Sequence, residues 1–301
     1  MKRTVIFPGP VSLAHTLAPL RRGPGDPCFQ IDGDGAIWRT SLQASGPVSA
    51  RIVRVDPTTA HCEAWGEGAE EFLANLAALL GAEDDAADFQ PTHPTVAAAQ
   101  ARVPHLRLGR TGRVLEALVP AVLEQRVQGV EAFRSWRLLV TKFGTPAPGP
   151  APDRMRVPPS AAVWRGIPSW EFHRANVDPG RMRTIIGCAQ RAESLERLAG
   201  RPPAEAREAL TSLSGVGVWT AAEVAQRALG DSDALSVGDY HLSTMIGWTL
   251  LGHPIDDVQM VELMEPMRPH RYRVVRLLEV SRLAYLPRRG ARLPVQRISG
   301  L

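Results

Sequence analysis

The chain has 301 residues, enough for two domains with cores of their own, and its 44% apolar and 22% charged content is that of a globular protein in water. No run approaches the ~18 uninterrupted apolar residues of a membrane span, and the apolar stretch after Met1 is cut by Pro8 and Pro10, so neither a membrane nor a secretory signal is expected. The net charge of +4 and the pI of about 9.3 rest on arginine, Lys2 and Lys142 being the only lysines.

Residues 1 to 66 read as strands and turns. "CFQIDGDGAIWRTSL" holds two half-alternating runs about an Asp-Gly turn, a hairpin signal. "VSARIVRV" alternates loosely, and "TAHCEAWG" offers it a partner strand. Phe72, Leu73, Leu76, Leu79 and Leu80 then fall at helical spacing, and Gly81 ends the helix. The acidic stretch from Glu83 to Pro94 reads as a linker. An α+β domain over 1–90, an antiparallel sheet with packed helices, is therefore expected to precede an all-α domain over 91–301.

In the second domain "GRVLEALVPAVLEQRV" and "VEAFRSWRLLVTKFG" carry apolar residues at helical spacing and are expected to be helices, and the proline-rich "TPAPGPAPD" is expected to be a mobile loop. Shorter helices are expected at 160–166, 168–175, 179–191, 203–212, 218–229, 239–252, 256–265 and 270–285. The basic tail, with Arg288, Arg289, Arg292 and Arg297, is either a DNA contact or a solvated end.

The chemistry concentrates in "LSGVGVWTAAEVAQRALGDSDALSVGDYHL", Leu213 to Leu242. Gly215 and Gly217 permit positive φ and close backbone approach ahead of a helix starting at Val218 or Trp219, whose amide end suits an anion. Such a hairpin is either an ordinary turn or a grip on a DNA phosphate. The arginine-for-lysine bias suits phosphate too, although a GC-rich genome produces it equally well. Cys28, Cys62 and Cys188 are far apart, with no CxxC; that fits a reducing cytoplasm and excludes a four-cysteine zinc or iron–sulfur site within this chain. Neither a phosphate-binding GxxxxGK[ST] loop nor HExxH occurs.

"LSGVGVWTA" followed by Asp239, together with "LEALVPAVLEQRVQGVEAFRSWRLLVTKFG" and "MRPHRYRVVRLL", resembles the helix–hairpin–helix DNA glycosylases, and within them the bacterial 3-methyladenine (alkylpurine) type, especially its actinobacterial members. The resemblance covers most of the chain and implies an all-α glycosylase domain behind an accessory α+β domain. It makes Asp239 the catalytic carboxylate, although an aspartate there also suits a helix cap. Asp231 and Asp233 fall outside the motif and are expected to be turn residues. Where bifunctional members carry a Schiff-base lysine stands Trp219, which implies hydrolysis by water without strand cleavage. Trp219 either stacks on the extruded base or packs in the core.

Glu223 and Glu279 fall where the family has aromatic pocket residues. They either hydrogen-bond or attract a damaged base, or sit as solvated helix positions. Gln125 and Arg126 match the loop that fills the gap left by the flipped nucleotide, Arg126 being favoured as the wedge; a plain helix end is the other reading. Gly215, Val216 and Gly217 would contact phosphate. The family's hairpin also holds a monovalent cation, Na⁺ or K⁺, on main-chain carbonyls that correspond here to Thr211, Leu213 and Gly215; Ser214 replaces a common proline. His241, two positions from Asp239, is expected to point elsewhere on a helix, and Tyr240 to pack.

The resemblance thus implies a monofunctional base-excision repair enzyme, cytoplasmic and nucleoid-associated. It would be monomeric, act on damaged double-stranded DNA, and require neither cofactor nor iron–sulfur cluster. Two other functions remain open: a glycosylase for oxidised or mismatched bases, and a non-catalytic DNA-binding module.

Overall fold

The computed structural model describes residues 1–287; the four tail arginines lie outside them. The chain begins with β1 (Lys2–Ile6), α1 (Leu13–Leu17), β2 (Phe29–Ile31), β3 (Ile37–Gln43), β4 (Gly46–Asp56), β5 (Thr59–Trp65), α2 (Ala69–Ala74) and α3 (Leu76–Leu79). The strands form one antiparallel sheet in the order β1-β5-β4-β3-β2. Period-two patterning decides its faces: Val48, Ala50 and Ile52 of β4 and Ala60, Cys62 and Ala64 of β5 are all fully buried, while Arg51, Val53, His61 and Glu63 are not. The inward set packs on Leu17, Phe72, Leu76 and Leu80. The single helix expected to carry Phe72 to Leu80 is broken at Asn75, after which Gly81 turns the chain with φ +73°.

Helices follow: α4 (Pro94–Arg102), α5 (Val114–Leu123) and α6 (Gly129–Phe143); a ribbon, β6 (Thr145–Pro146) with β7 (Arg156–Val157); then α7 (Ala161–Gly166), α8 (Ser169–Arg174), α9 (Pro179–Ala189), α10 (Ala192–Glu196), α11 (Pro203–Thr211), α12 (Val218–Val224), α13 (Leu242–Leu250), α14 (Asp257–Met264) and α15 (Arg271–Val280). A π turn, Ala225–Leu229, continues α12. α5 is the central rod: every residue but Glu116 is buried, and Glu196 caps it by accepting from the amides of Val114 and Leu115 at 3.0 and 3.1 Å. The helices build two apolar cores. One surrounds α5, α9 and α12; the other joins Phe89 to Leu106 with α13, α14 and α15.

Two connections expected to be loose are anchored. In the 83–94 segment, Asp84 pairs with Arg273 at 2.6 Å, with side chains 6% and 3% exposed, and accepts from the Leu108 amide; Phe89 is buried. The proline-rich segment docks on the sheet: Ser49 donates to the Pro148 carbonyl, the Arg156 amide donates to Pro27, and Met155 is fully buried. Both were unreadable in composition because their partners are distant in sequence.

The sheet packs on the helices through charged pairs. Arg39 and Ser41 of β3 bond Glu116 of α5, and Arg22 meets Glu124 at 3.0 Å just past the end of α5. Asp26 accepts from the amides of Arg22 and Cys28 and from Trp136 Nε1; burial still pushes its carboxyl above the usual range, these hydrogen bonds and the Arg22 charge pulling it back.

Candidate active site and nucleic-acid interface

α11 and α12 meet in a hairpin over 212–217. The Leu213 amide donates to Leu210 and that of Val216 to Leu213, and buried Val216 pins the turn from below. Gly215 is required twice over: its φ is +82°, and a Cβ there would stand 2.0 Å from Thr184 Oγ1. Gly217 differs from expectation, with an ordinary φ of −91° and nothing within 4 Å of where a Cβ would stand; its bareness leaves the outer face open instead. Ser214, Gly215, Gly217 and Val218 are exposed, forming a strip of backbone with few side chains in the way.

The Gln125 and Arg126 loop lies against this hairpin. Gln125 Nε2 donates to the Gly215 carbonyl at 2.9 Å and to Thr220 Oγ1 at 2.8 Å, so Gln125 braces the hairpin. Arg126 is exposed and held at φ +54°, a conformation that costs a non-glycine residue about 1–2 kcal/mol. Of the three carbonyls matched to a cation, those of Leu213 and Gly215 each accept one hydrogen bond and keep a second lone pair directed elsewhere, which is compatible with an oxygen-lined monovalent site.

Asp239 sits where the loop after α12 turns into α13. Its Oδ1 accepts from the amides of His241 (2.8 Å) and Leu242 (3.1 Å), and its Oδ2 from Trp219 Nε1 at 3.1 Å. The carboxylate therefore caps α13 with one oxygen and takes an indole N–H with the other. Because it caps from outside, α13 starts at Leu242, later than expected. His241 follows in the turn, exposed, its ring edge-on to Tyr240 at 4.7 Å. Tyr240 was expected to pack; it is 67% exposed, since no helix turns it inward.

Trp219, half-buried, is thus a partner of Asp239. One turn on, Glu223 pairs with Arg227 at 2.7 Å and accepts from Ser236 Oγ at 2.6 Å. Arg227 also donates through Nε to the Pro19 carbonyl at 2.9 Å. Burial works against the Arg227 charge, but Glu223 and Glu124 outweigh it and raise its pKa above the ordinary value. Glu223 is therefore neutralised by a neighbour, an arrangement invisible in a pairwise match of motifs. Glu279 is 45% exposed and pairs with Arg276 at 2.6 Å; it makes no hydrogen bond to Asp239, Trp219 or Glu223. It is Tyr272 and Arg276, earlier on α15, that help to line the cavity beyond Arg227, together with Pro19, Leu20 and Gln226.

Asp231 and Asp233 are buried anchors, not simple turn residues: Asp231 pairs with Arg207, and Asp233 holds Arg268 and Arg271 at 2.8 and 2.7 Å. The residues missed in the sequence are Thr220, Arg227, Ser236 and Pro19. Only Arg227 had a signal, the four-residue spacing Trp219, Glu223, Arg227 within an alanine-rich helix.

No family model matches the chain. A curated relative from Mycobacterium tuberculosis, described as a probable bifunctional transcriptional activator/DNA repair enzyme AlkA, is 35% identical over 158 residues, covering 50% of this chain and 30% of that protein's length. Among solved structures, the 3-methyladenine DNA glycosylase of Archaeoglobus fulgidus superposes with a TM-score of 0.78 at 18% identity, covering 93% of this chain and 98% of its own. The 8-oxoguanine glycosylase/lyase of Clostridium acetobutylicum, in complex with double-stranded DNA, gives 0.69 at 12% identity over 92% of this chain and 96% of its own. The fold is that of the helix–hairpin–helix DNA glycosylases. Within that class the chain resembles the AlkA type.

Proposed function

We propose that this protein is a monofunctional DNA glycosylase that extrudes alkylated purines of the 3-methyladenine and 7-methylguanine type from double-stranded DNA and hydrolyses the bond between base and sugar, leaving an abasic site for base-excision repair. The observation that carries this reading is Asp239, both of whose oxygens are held by N–H donors at the mouth of the hairpin. Departure of the base builds positive charge on C1′ of the sugar. A fixed carboxylate stabilises that charge without reorganising, and it orients or deprotonates the attacking water. N3- and N7-alkylated purines leave readily because they are cationic, so one carboxylate suffices.

The hairpin strip Gly215 to Gly217 would hold a phosphate, with Arg126 the wedge in the vacated stack and Gln125 its brace. A Na⁺ or K⁺ ion on the carbonyls of Thr211, Leu213 and Gly215 would add positive charge beside that phosphate. Trp219 and Glu223 would flank the base, and Glu279 would act from the outer rim. Water is the nucleophile because both lysines are engaged elsewhere: Lys2 pairs with Glu63 on the sheet and Lys142 with Glu171 at 2.6 Å. The enzyme would work as a cytoplasmic monomer.

Base release from randomly methylated DNA, followed by chromatography, tests this. The wild type should liberate 3-methyladenine or 7-methylguanine, and Asp239→Asn should lose ~10²-fold or more in rate while still binding DNA with an abasic-site analogue. Release at the wild-type rate by the variant refutes the mechanism; no methylpurine from the wild type refutes the substrate.

A further inference from the structure

α12 and its π turn are buried nearly all round. Between Trp219 and Leu229 only Trp219, Glu223 and Arg227 are partly open, while Thr220, Ala221, Ala222, Val224, Ala225, Gln226, Ala228 and Leu229 are buried. Those three lie four residues apart, so they form one stripe whose members follow at about 6 Å along the axis. Asp239 bonds the first member, and the Pro19 carbonyl bonds the last. A partly open stripe therefore runs from the Asp239 carboxylate along an indole, a carboxylate and a guanidinium. It ends at Arg227, beyond which a cavity of about 10 Å³ between Leu20 and Tyr272 has room for no more than a water.

The end of this stripe offers paired hydrogen-bonding capacity. A carboxylate has about four lone-pair sites, and Glu223 uses two, for Ser236 and Arg227. Arg227 spends Nε on Pro19 and Nη1 on Glu223, while its Nη2 donates to no protein group among the described residues. Ser236 is itself fixed, accepting from Gln226 Nε2 at 2.8 Å. An acceptor thus stands beside a donor, in positions locked by a buried network.

We propose that Glu223 and Arg227 are the specificity-determining pair of this site, reading a purine whose Watson–Crick edge carries an N–H donor next to an acceptor. This rests on the glycosylase reading above. N1–H with O6 in a 6-oxopurine satisfies the pair, as does the 6-amino group with N1 in an adenine; a ring fused across N1 and N6 removes the donor. Glu223 accepts the base N–H and Arg227 Nη2 donates to the neighbouring acceptor. The pair reads hydrogen-bond pattern instead of charge, because the guanidinium cancels the carboxylate.

The test uses the full-length chain and duplexes carrying a single 7-methylguanine, hypoxanthine or 1,N6-ethenoadenine, with kcat/KM measured for each. The wild type should release the first two and discriminate against the third by at least ~10-fold. Glu223→Gln should lose roughly 10- to 100-fold on both 7-methylguanine and hypoxanthine, the loss expected for a hydrogen bond to a charged acceptor, with binding to abasic-analogue DNA unchanged. A second variant, Glu223→Leu with Arg227→Met, replaces the ion pair by apolar groups and leaves no unpaired charge; with wild-type thermal stability it should show the same loss.

Efficient release of ethenoadenine by the wild type overturns the pair's role. So does an equal rate for Glu223→Gln on hypoxanthine, or a loss confined to cationic 7-methylguanine, which would make Glu223 a charge attractor only. If the wild type releases no base from methylated DNA, the glycosylase reading itself has failed.

Discussion

Replacing Trp219 by phenylalanine removes one N–H and keeps an aromatic ring in place. Among the described residues that N–H is the sole donor to Asp239 Oδ2, at 3.1 Å, while Oδ1 keeps both backbone amides. A hydrogen bond to a charged group is worth about 1.5–3 kcal/mol. If the bond serves to orient the carboxylate toward C1′, its loss slows base release by about 10- to 150-fold, at 1.4 kcal/mol per factor of ten. Single-turnover release from methylated DNA, measured for wild type, Trp219→Phe, Asp239→Asn and the double variant, completes a double-mutant cycle. Asparagine has no charge to orient, and its Nδ2 cannot accept from the indole, so Trp219→Phe should cost little in the Asp239→Asn background. Equal, additive losses in both backgrounds would show that the indole acts through the base and not through Asp239, and would refute the positioning argument.

Gly215→Ala meets both the left-handed φ penalty, about 1–2 kcal/mol, and the collision with Thr184 Oγ1; calorimetry should show a lowered Tm and Thr184→Ala should restore only part of it. Asp84→Asn leaves Arg273 buried beside a neutral partner and should cost about 3–5 kcal/mol in denaturant unfolding; a shift near zero would mean the 83–94 segment is not held by this pair. Burial, with repulsion from His105, Arg276 and Arg282, holds the His15 pKa below the ordinary 6.5. The unfolded chain then takes up a proton that the folded chain refuses, so stability falls as pH drops below 6.5 and the loss is complete below the lowered value. His15→Gln should flatten the fall of Tm as pH drops below the ordinary histidine value of 6.5.

What the sequence made legible was local. The half-alternating runs about the Asp-Gly turn, the loose alternation of β4 and its partner β5, and the helical spacing of apolar residues in α5 and α6 state their structure within a few residues. So does the hairpin, since two glycines and a following helix are enough to locate the exposed backbone. Asp239 and Trp219 could each be singled out, but not their bond, which crosses 20 residues of loop and helix. Glu223 was legible as an oddity; its meaning depends on Arg227 and Ser236, and hence on a π turn that periodicity does not announce. The same limit explains the two connections expected to be loose. Proline and acidic residues describe a segment's own preferences, whereas Asp84 and Pro148 are fixed by Arg273 and Ser49, far away in the chain.

The charged seam between sheet and helices has a consequence for how the molecule can be divided. Cutting at residue 90 would strip Arg22 from Glu124, Arg39 from Glu116, Asp84 from Arg273 and the Pro19 carbonyl from Arg227 in a single stroke. A helical fragment would then present several uncompensated charges at a newly wetted face, together with an Arg227 free to abandon Glu223. Sheet and helices should accordingly melt in one cooperative transition. A fragment of residues 91–301 should be less stable than the whole chain, and any base release it retains should be less selective.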